Sequence, residues 1–574
     1  MKNYKKLEEI LNSAIKNSIE NGNINIDINE IPDVALERPR DEKNGDWAST
    51  VALRSAKIAG ANPRIIAEAI LKNISDNDII KSAEIAGPGF INFTLQNSCF
   101  QSVIKDVIAQ GKDFGKGSSV DKTEKINLEY ISANPTGPMH IGHGRWCCLG
   151  DSIARVMRFA GYDVSEEFYI NDHGVQMDIF GTSVALRYME LLGHEVEMPE
   201  NCYGGSYVID IAQRILDEHG NRFENMTEKD RMLEMREIAY KMMLDNQKSL
   251  CEKVGTTFDT WFSERSLYIP DDEGKTAVDK ALQAMRDKGY IYEKDEAVWF
   301  ESTRLGDDKD RVLIKNNGEM TYFMSDCAYH YNKKMRGFDH LIDLWGADHH
   351  GYIKRCECMM EAWGWPGDLE ILLGQLVNLY RDGEAVRMSK RTGEMVTFEE
   401  LVSEVGVDAT RYLMLSKSAD QQIDFDIEVA KKKDATNPVY YVQYAHARIC
   451  SILRKAYTET TGKEEDNIDV ILKELVDESS LDLSLLDNES ELALMRKMDD
   501  FEAFIQACAR DRAPFRLTHF AEELAGLFHN FYAHCKVVQD DKDLQAARLA
   551  LCNATRILLA TTLSLLGVSA PEKM

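Results

Sequence analysis

Two histidines three residues apart, His140 and His143, stand on either side of Gly142 at the start of a helical pattern. A helix start offers free N–H groups and partial positive charge to a phosphate. Glycine lets a planar base or a phosphate approach the backbone closely. Imidazoles sharing the first turn can donate to phosphate oxygens as charge develops. Farther along the chain, Arg387-Met388-Ser389-Lys390-Arg391-Thr392-Gly393 forms a cationic loop. Transfer of an adenylyl group builds negative charge on the departing pyrophosphate, and Lys390, with Met388, Ser389 and backbone N–H groups beside it, would stabilise that charge. Each half has a blander account: a metal pair or plain caps for the histidines, an exposed turn for the loop. The two in this order are far more specific than either alone.

The elements that must position them follow from patterning. Ile126 to Ile131 reads as a strand, Ser132 to Met139 as a Pro/Gly loop, Gly142 to Gly161 as a helix, and Val164 to Ile170 as another strand. That order gives an α/β unit with a parallel sheet, whose ligands lie beyond the strand carboxyl ends. The pattern resumes at Val298-Trp299-Phe300, His340 to Trp345 and Leu369 to Leu373. Residues from about 175 to 265 are helical and charged, and read as an insertion. Before this unit, residues 1–118 form a small domain. It has an amphipathic opening helix, a helix starting at Pro63 and a strand over Gly87 to Phe93, and Gly111 to Ser119 serve as linker. After residue 426 the pattern is helical to the end.

A chain of 574 residues exceeds one hydrophobic core and divides into several domains. The net charge of −28 argues against a general nucleic-acid coat. A shaped RNA partner remains open, because Lys431 to Lys455 holds six Lys/Arg against the single Asp434, while Glu459 to Asp500 holds fourteen acidic residues against four basic ones. Solvated helix faces account for that asymmetry equally well. Without an apolar signal core at the N-terminus or a membrane-length apolar stretch, and with twelve cysteines of no secretory context, the expectation is a reduced, cytoplasmic protein.

The motif pair resembles the His-Ile-Gly-His and Lys-Met-Ser-Lys-Ser signatures of class I aminoacyl-tRNA synthetases. The chain as a whole resembles the arginyl-tRNA synthetase family through Asn134 to Pro138, Tyr169 to Gln176, Phe258 to Glu264, Trp345 to Gly351, Asn437 to Arg448 and Ala570 to Met574. The resemblance implies a Rossmann-type parallel-sheet catalytic domain over 119–426, a small α+β tRNA-elbow domain over 1–118, and an all-helical anticodon-binding domain over 427–574. It implies activation of arginine by ATP, with Mg2+, to arginyl-AMP and transfer to the 3' end of tRNA(Arg), by a monomer. Here Arg387 and Arg391 replace the outer residues of the second signature. A class I synthetase for another amino acid and a catalytically silent tRNA-binding paralogue are the alternatives.

A guanidinium presents five donors in a planar fork, so its pocket needs carboxylate acceptors. By resemblance these are Asp326, with Tyr322 one turn earlier, while Asn134 meets the substrate amino group and Gly346, Asp348 and His349 line the adenosine and arginine side. The family's common Arg before the carboxylate is Ser325 here, and Asp326 could alternatively cap the following helix. His349-His350 near Cys356 and Cys358 match no common structural zinc spacing, so no protein-bound metal is expected. For tRNA, Phe90 and Asn92 alternate with Ile91 and can face outward together to stack and hydrogen-bond a splayed base, although Phe90 could equally pack in the core. Tyr444 and Arg448 lie one helical turn apart and can offer a ring with a guanidinium. Met574 matches a terminus packed near the anticodon.

Overall fold

The structure is a computed structural model and describes residues 2–39, 41–117, 124–386, 396–477 and 479–574. Its first sheet is antiparallel, with strands β1 (Leu36–Glu37), β2 (Trp47–Ser49), β3 (Ile80–Ala86) and β4 (Phe90–Leu95) in the order β1-β2-β4-β3. The helix Pro63–Lys72 starts where its proline and cap dictate, the Asn62 side chain accepting from the Arg64 N–H. Ile91 and Phe93 of β4 point into the core and Phe90 and Asn92 away from it.

The central sheet has five parallel strands. β5 (Lys125–Glu129), β6 (Asp163–Ile170) and β7 (Thr260–Ser263) run outward on one side. A small antiparallel sheet follows: β8 (Ile291–Lys294), β9 (Ala297–Phe300) and β10 (Arg311–Ile314). The chain then returns with β11 (His340–Gly346) beside β5 and β12 (Leu369–Gly374) outermost, giving the order β12-β11-β5-β6-β7. The strand order reverses between β5 and β11, so their carboxyl ends flank the crevice where α/β sheets bind ligands. A third sheet joins β13 (Val377–Arg381), β14 (Glu384–Ala385) and β15 (Ile423–Asp426).

Two expectations are corrected. Val298-Trp299-Phe300 belongs to the antiparallel β9, not the parallel sheet. The β8–β9 hairpin turns at Asp295 and Glu296, both left-handed, and an apolar triplet does not specify its partner. The helical insertion ends earlier than 265: its three helices, Val175–Leu191, Ser206–His219 and Glu228–Lys253, share a core around Phe180, Tyr188 and Ile215, and β7 pairs with β6 beyond them.

After Asp426 the described residues contain helices and no strand. The first sheet's domain rests against these helices through Asn3 to Asp499 (3.0 Å), Arg496 to Asp46 (2.9 Å) and Gln101 to the Leu486 carbonyl (3.0 Å).

Candidate active site

At the carboxyl end of β5 the chain takes two consecutive left-handed residues, Ile131 (φ 68°) and Ser132 (φ 44°). Each costs about 1–2 kcal/mol in a residue other than glycine. The Ser132 hydroxyl holds the turn, donating to Glu129 Oε1 (2.9 Å) and accepting from the Tyr169 N–H (3.1 Å). The helical insertion braces the loop that follows. Gln247 Nε2 donates to the Asn134 and Gly137 carbonyls (3.1 and 3.3 Å), and Tyr207 donates to the Thr136 carbonyl (2.8 Å). Asn134 itself is exposed at the crevice, its amide bonded to Gln176 (3.2 Å).

His140 is the N-cap of the helix Ile141–Ala160. Its Nδ1 accepts from the His143 N–H, and His143 Nδ1 accepts from the His140 N–H, both at 3.3 Å, with the rings stacked 3.6 Å apart. Since each Nδ1 accepts, the proton of each neutral ring sits on Nε2, which makes Nε2 the donor. Gly142 has a reason beyond nucleotide approach: a Cβ there would lie 2.9 Å from His140 Cε1 and 3.0 Å from Nδ1. We expect Gly142→Ala to displace the His140 ring and lower ATP-dependent pyrophosphate exchange by about tenfold, with melting within a few degrees of wild type. Unchanged exchange kinetics would refute that role for the glycine.

Arg387, Met388, Ser389, Lys390 and Arg391 lie outside the described residues. The described residues on either side are fixed. Val386 donates to the Leu379 carbonyl in the β13–β14 hairpin (2.8 Å). Thr397 bridges His140, the Phe398 N–H donates to the Met139 carbonyl (2.9 Å), and the Phe398 ring packs where a Cβ on Gly144 would stand. The described segment at Thr397 and Phe398 is thus packed on the histidine turn.

Asp326 lies in the second turn of the helix Tyr322–Met335. Thr321 is that helix's N-cap, so Asp326 does no capping. Burial pushes its carboxyl up to about 6; His330 and His349 oppose the rise, and Glu129 and Asp343 add to it. Glu264, on the 3₁₀ turn Glu264–Tyr268, is buried and pushed up to about 7 by that burial, Tyr169 and Tyr268 donating to it while Asp326 and Asp172 raise it further. Glu264 thus stands close enough to Asp326 to feel its charge, with the Tyr169 and Tyr268 hydroxyls between the two elements. Tyr268 bonds Ser325 (2.7 Å) and stacks on His173 (4.3 Å between ring centres), so Ser325 orients a wall of the pocket. Tyr322 is 70% exposed at the mouth. Gly346 ends β11, and Asp348 and His349 follow in the 3₁₀ turn Ala347–Tyr352.

Known proteins decide the family. Models of the arginyl tRNA synthetase N-terminal domain, the class I (R) tRNA synthetase catalytic domain and the DALR anticodon binding domain match residues 5–95, 103–453 and 442–574. The chain is 44% identical over 571 residues to the arginine–tRNA ligase of Bacillus velezensis, spanning 99% of both chains. It is 44% identical over 542 residues to that of Carboxydothermus hydrogenoformans, spanning 94% of each. The chain belongs to the arginyl-tRNA synthetase family. Its fold matches the Thermus thermophilus arginyl-tRNA synthetase with a TM-score of 0.72 at 21% identity, over 99% of this chain and 100% of that one.

The remaining family positions fall on two separate surfaces. Phe90 is 38% exposed, and Asn92 shares its face of β4. Tyr444 is exposed on the helix Pro438–Thr461, stacked on Tyr440, with the Arg448 guanidinium 5.9 Å from the Tyr444 ring and 4.6 Å from Tyr532. The chain end is fastened to the same helix. His446 Nδ1 donates to the Pro571 carbonyl (2.8 Å) and Arg454 to the Glu572 carbonyl (3.0 Å), leaving Met574 half exposed. Cys356 and Cys358 are buried with their thiols pushed up by burial, and no metal-holding cluster occurs among the described residues.

Residue reading missed Glu264, Tyr169, Tyr268 and Gln247. Glu264 and Tyr169 stood inside family blocks without an assigned role, and Gln247 had no local signal at all.

Proposed function

We propose that this chain is an arginine–tRNA ligase whose amino-acid pocket is the Asp326–Glu264 carboxyl pair beside the histidine-capped helix. The observation that carries the reading is that pair: half-buried Asp326 and buried Glu264, both pushed up by burial and by neighbouring acids, on elements that follow the histidine-capped helix in the same fold. The guanidinium lies against Asp326 and Glu264, Tyr322 and His349 flank the substrate, and Asn134 meets its amino group. An oxygen of the arginine carboxylate forms a bond to the ATP α-phosphorus, the bond to the bridging oxygen of the β-phosphate breaks, and pyrophosphate leaves. His140 and His143 donate from Nε2, Gly142 opens the helix start, and Gly346 and Asp348 border the adenosine. Lys390, with Met388 and Ser389, meets the departing charge. A terminal ribose hydroxyl of the tRNA then attacks the acyl carbon and AMP leaves. Mg2+ comes as the ATP complex and belongs to the substrate. The enzyme is a cytoplasmic monomer.

Pyrophosphate release measured with each amino acid, with and without tRNA, tests the reading. Arginine alone should support it; equal turnover with another amino acid, or none with any, overturns it.

Phe90 and Asn92 take the tRNA elbow, and Tyr444, Arg448 and Met574 the anticodon. Tyr444→Ala should raise the KM for tRNA by about tenfold through loss of one stacked base, and residues appended after Met574 should act in the same direction. The KM values for arginine and ATP should stay put; an unchanged tRNA KM in both forms removes the assignment.

A further inference from the structure

Beneath Asp326 runs a buried chain of charge that touches no reacting atom. His330, one turn beyond Asp326, is 3% exposed, and its Nδ1 lies 2.8 Å from the Asp326 carbonyl oxygen. A carbonyl only accepts, so Nδ1 carries a proton. Nε2 lies 2.8 Å from Asp343 Oδ2. Although burial works against its charge, the Lys333 ammonium and His330 hold the Asp343 carboxyl well below the usual range, so Nε2 carries a proton as well. Burial likewise works against a charged His330, and the bond to Asp343, the charge of Asp343 and the bond to the Asp326 carbonyl together outweigh it. Lys333, fully buried, donates to Asp343 (2.8 Å) and to Glu129 (2.6 Å). The other oxygen of Glu129 accepts from Ser132, which turns the chain into the histidine loop. The floor of the arginine pocket and the start of the nucleotide loop are thus joined by one unbroken series of bonds.

We propose that His330 is a positioning residue for arginine: its imidazolium spans the Asp326 main chain and Asp343, fixing the helical turn that aims the Asp326 carboxylate and keeping a positive charge beneath it. The proposal rests on Asp326 as the guanidinium acceptor. Around that carboxyl stand Glu129 from β5, Asp343 from β11, Glu264 and Tyr268 from the 3₁₀ turn, and Tyr169 from β6. The turn after β11 contributes His349, and the neutral thiols of Cys327 and Cys356 complete the shell. With Lys333 engaged by Glu129 and Asp343, His330 is the cation of its own helix that acts most strongly on Asp326. Without it the ionised form of Asp326 loses support, and protons compete with arginine for the site.

The test is the arginine KM of His330→Gln as a function of pH. Gln keeps a donor for Asp343 and drops the charge. Against wild type, the KM should rise about eightfold near pH 5.5 and by less than about twofold near pH 8.5, since a carboxyl displaced upward by about one pH unit from about 6 is ionised roughly eightfold less often at pH 5.5 and almost fully at pH 8.5. The KM for ATP should not move. A loss equal at both pH values marks a purely structural role and overturns the proposal, as does no loss at either. Should the variant fail to fold, hydrogen–deuterium exchange at the imidazole C2 of wild-type His330 decides: a ring charged from about pH 6 to about pH 8 supports the proposal, and a neutral ring ends it. Asp326→Asn separates the two layers. An unchanged arginine KM there removes the acceptor reading itself, whereas a raised one beside a normal His330→Gln removes only the role of His330.

Discussion

Asp326→Asn should lose about a hundredfold in kcat/KM for arginine while melting at a higher temperature than wild type near pH 7.5. The loss follows from the chemistry of the pocket. A charged hydrogen bond to guanidinium is worth about 2–3 kcal/mol, and asparagine gives up the charge and replaces one of the two acceptor oxygens with an N–H donor. The gain in stability follows from linkage. The Asp326 carboxyl is pushed up to about 6 in the fold by burial, from an ordinary value near 4 in the unfolded chain. A group raised in this way lends stability below its unfolded value and loses that contribution as pH climbs through about 6. At neutral pH the ionised, partly buried Asp326 is therefore a net cost to the arginine-free protein, and asparagine relieves roughly 1 kcal/mol of it after allowance for solvent screening. The difference in melting temperature should narrow as the pH falls through about 6 and close near about 4, and arginine should stabilise wild type more at pH 7.5 than at pH 5.5. A variant that melts lower than wild type at every pH would contradict the electrostatic account. One that activates arginine normally would contradict the assignment.

How much of this was legible in the sequence varies with how local the cause is. The helix at Pro63, the strand containing Phe90 and the helix after His140 follow from signals within a few residues, and the structure places them as read. The parallel sheet was legible from strand–loop–helix order, but not its edge. Thr260-Trp261-Phe262-Ser263 becomes β7 only by pairing with β6, a strand some ninety residues away, and four residues carry too little periodicity to announce that. The β8–β9 hairpin hid for a related reason, since Asp295 and Glu296 adopt left-handed conformations without the Asn-Gly signal such turns usually show. In the site, Asp326 was legible through the family's block, whereas Glu264, next to Arg265, has the look of a solvated surface pair. Its role comes from packing against Tyr169, Tyr268 and Asp326, which converge only in the fold. Lys333 is harder still, because lysine is almost never fully buried unless paired, and its partners Glu129 and Asp343 come from two different strands. The cationic loop was readable as chemistry, and its residues lie outside the described structure.

Arg411→Met should be among the most destabilising single changes outside the apolar core, at about 3–5 kcal/mol in urea or thermal unfolding. Arg411 is fully buried on the helix Val407–Met414, where its guanidinium joins three parts of the chain. It pairs with Asp151 of the histidine-capped helix, donates to the Val254 carbonyl at the end of the insertion (2.9 Å), and donates to the Leu566 carbonyl at the end of the last helix (2.8 Å). Gly567 is glycine because a Cβ there would stand 2.3 Å from that guanidinium, at a φ of +67°. On the same helix Asp408 accepts from the Ser569 N–H (3.0 Å) and from Gln443 (2.8 Å), the residue before Tyr444. Methionine fills most of the volume but leaves two buried carbonyls without donors and strips Asp151 of one of its two arginines; Arg155, at 2.6 Å, remains. That second partner puts the expected cost toward the lower end of the range. It also gives the account its sharpest check. Asp151→Asn combined with Arg411→Met should cost less than the sum of the two single changes, by about 1 kcal/mol or more, because the second change removes a charge the first has already left unmatched. Strict additivity would mean that the guanidinium acts through its carbonyl contacts alone, so that the histidine-capped helix and the C-terminal helices are joined by shape rather than by charge.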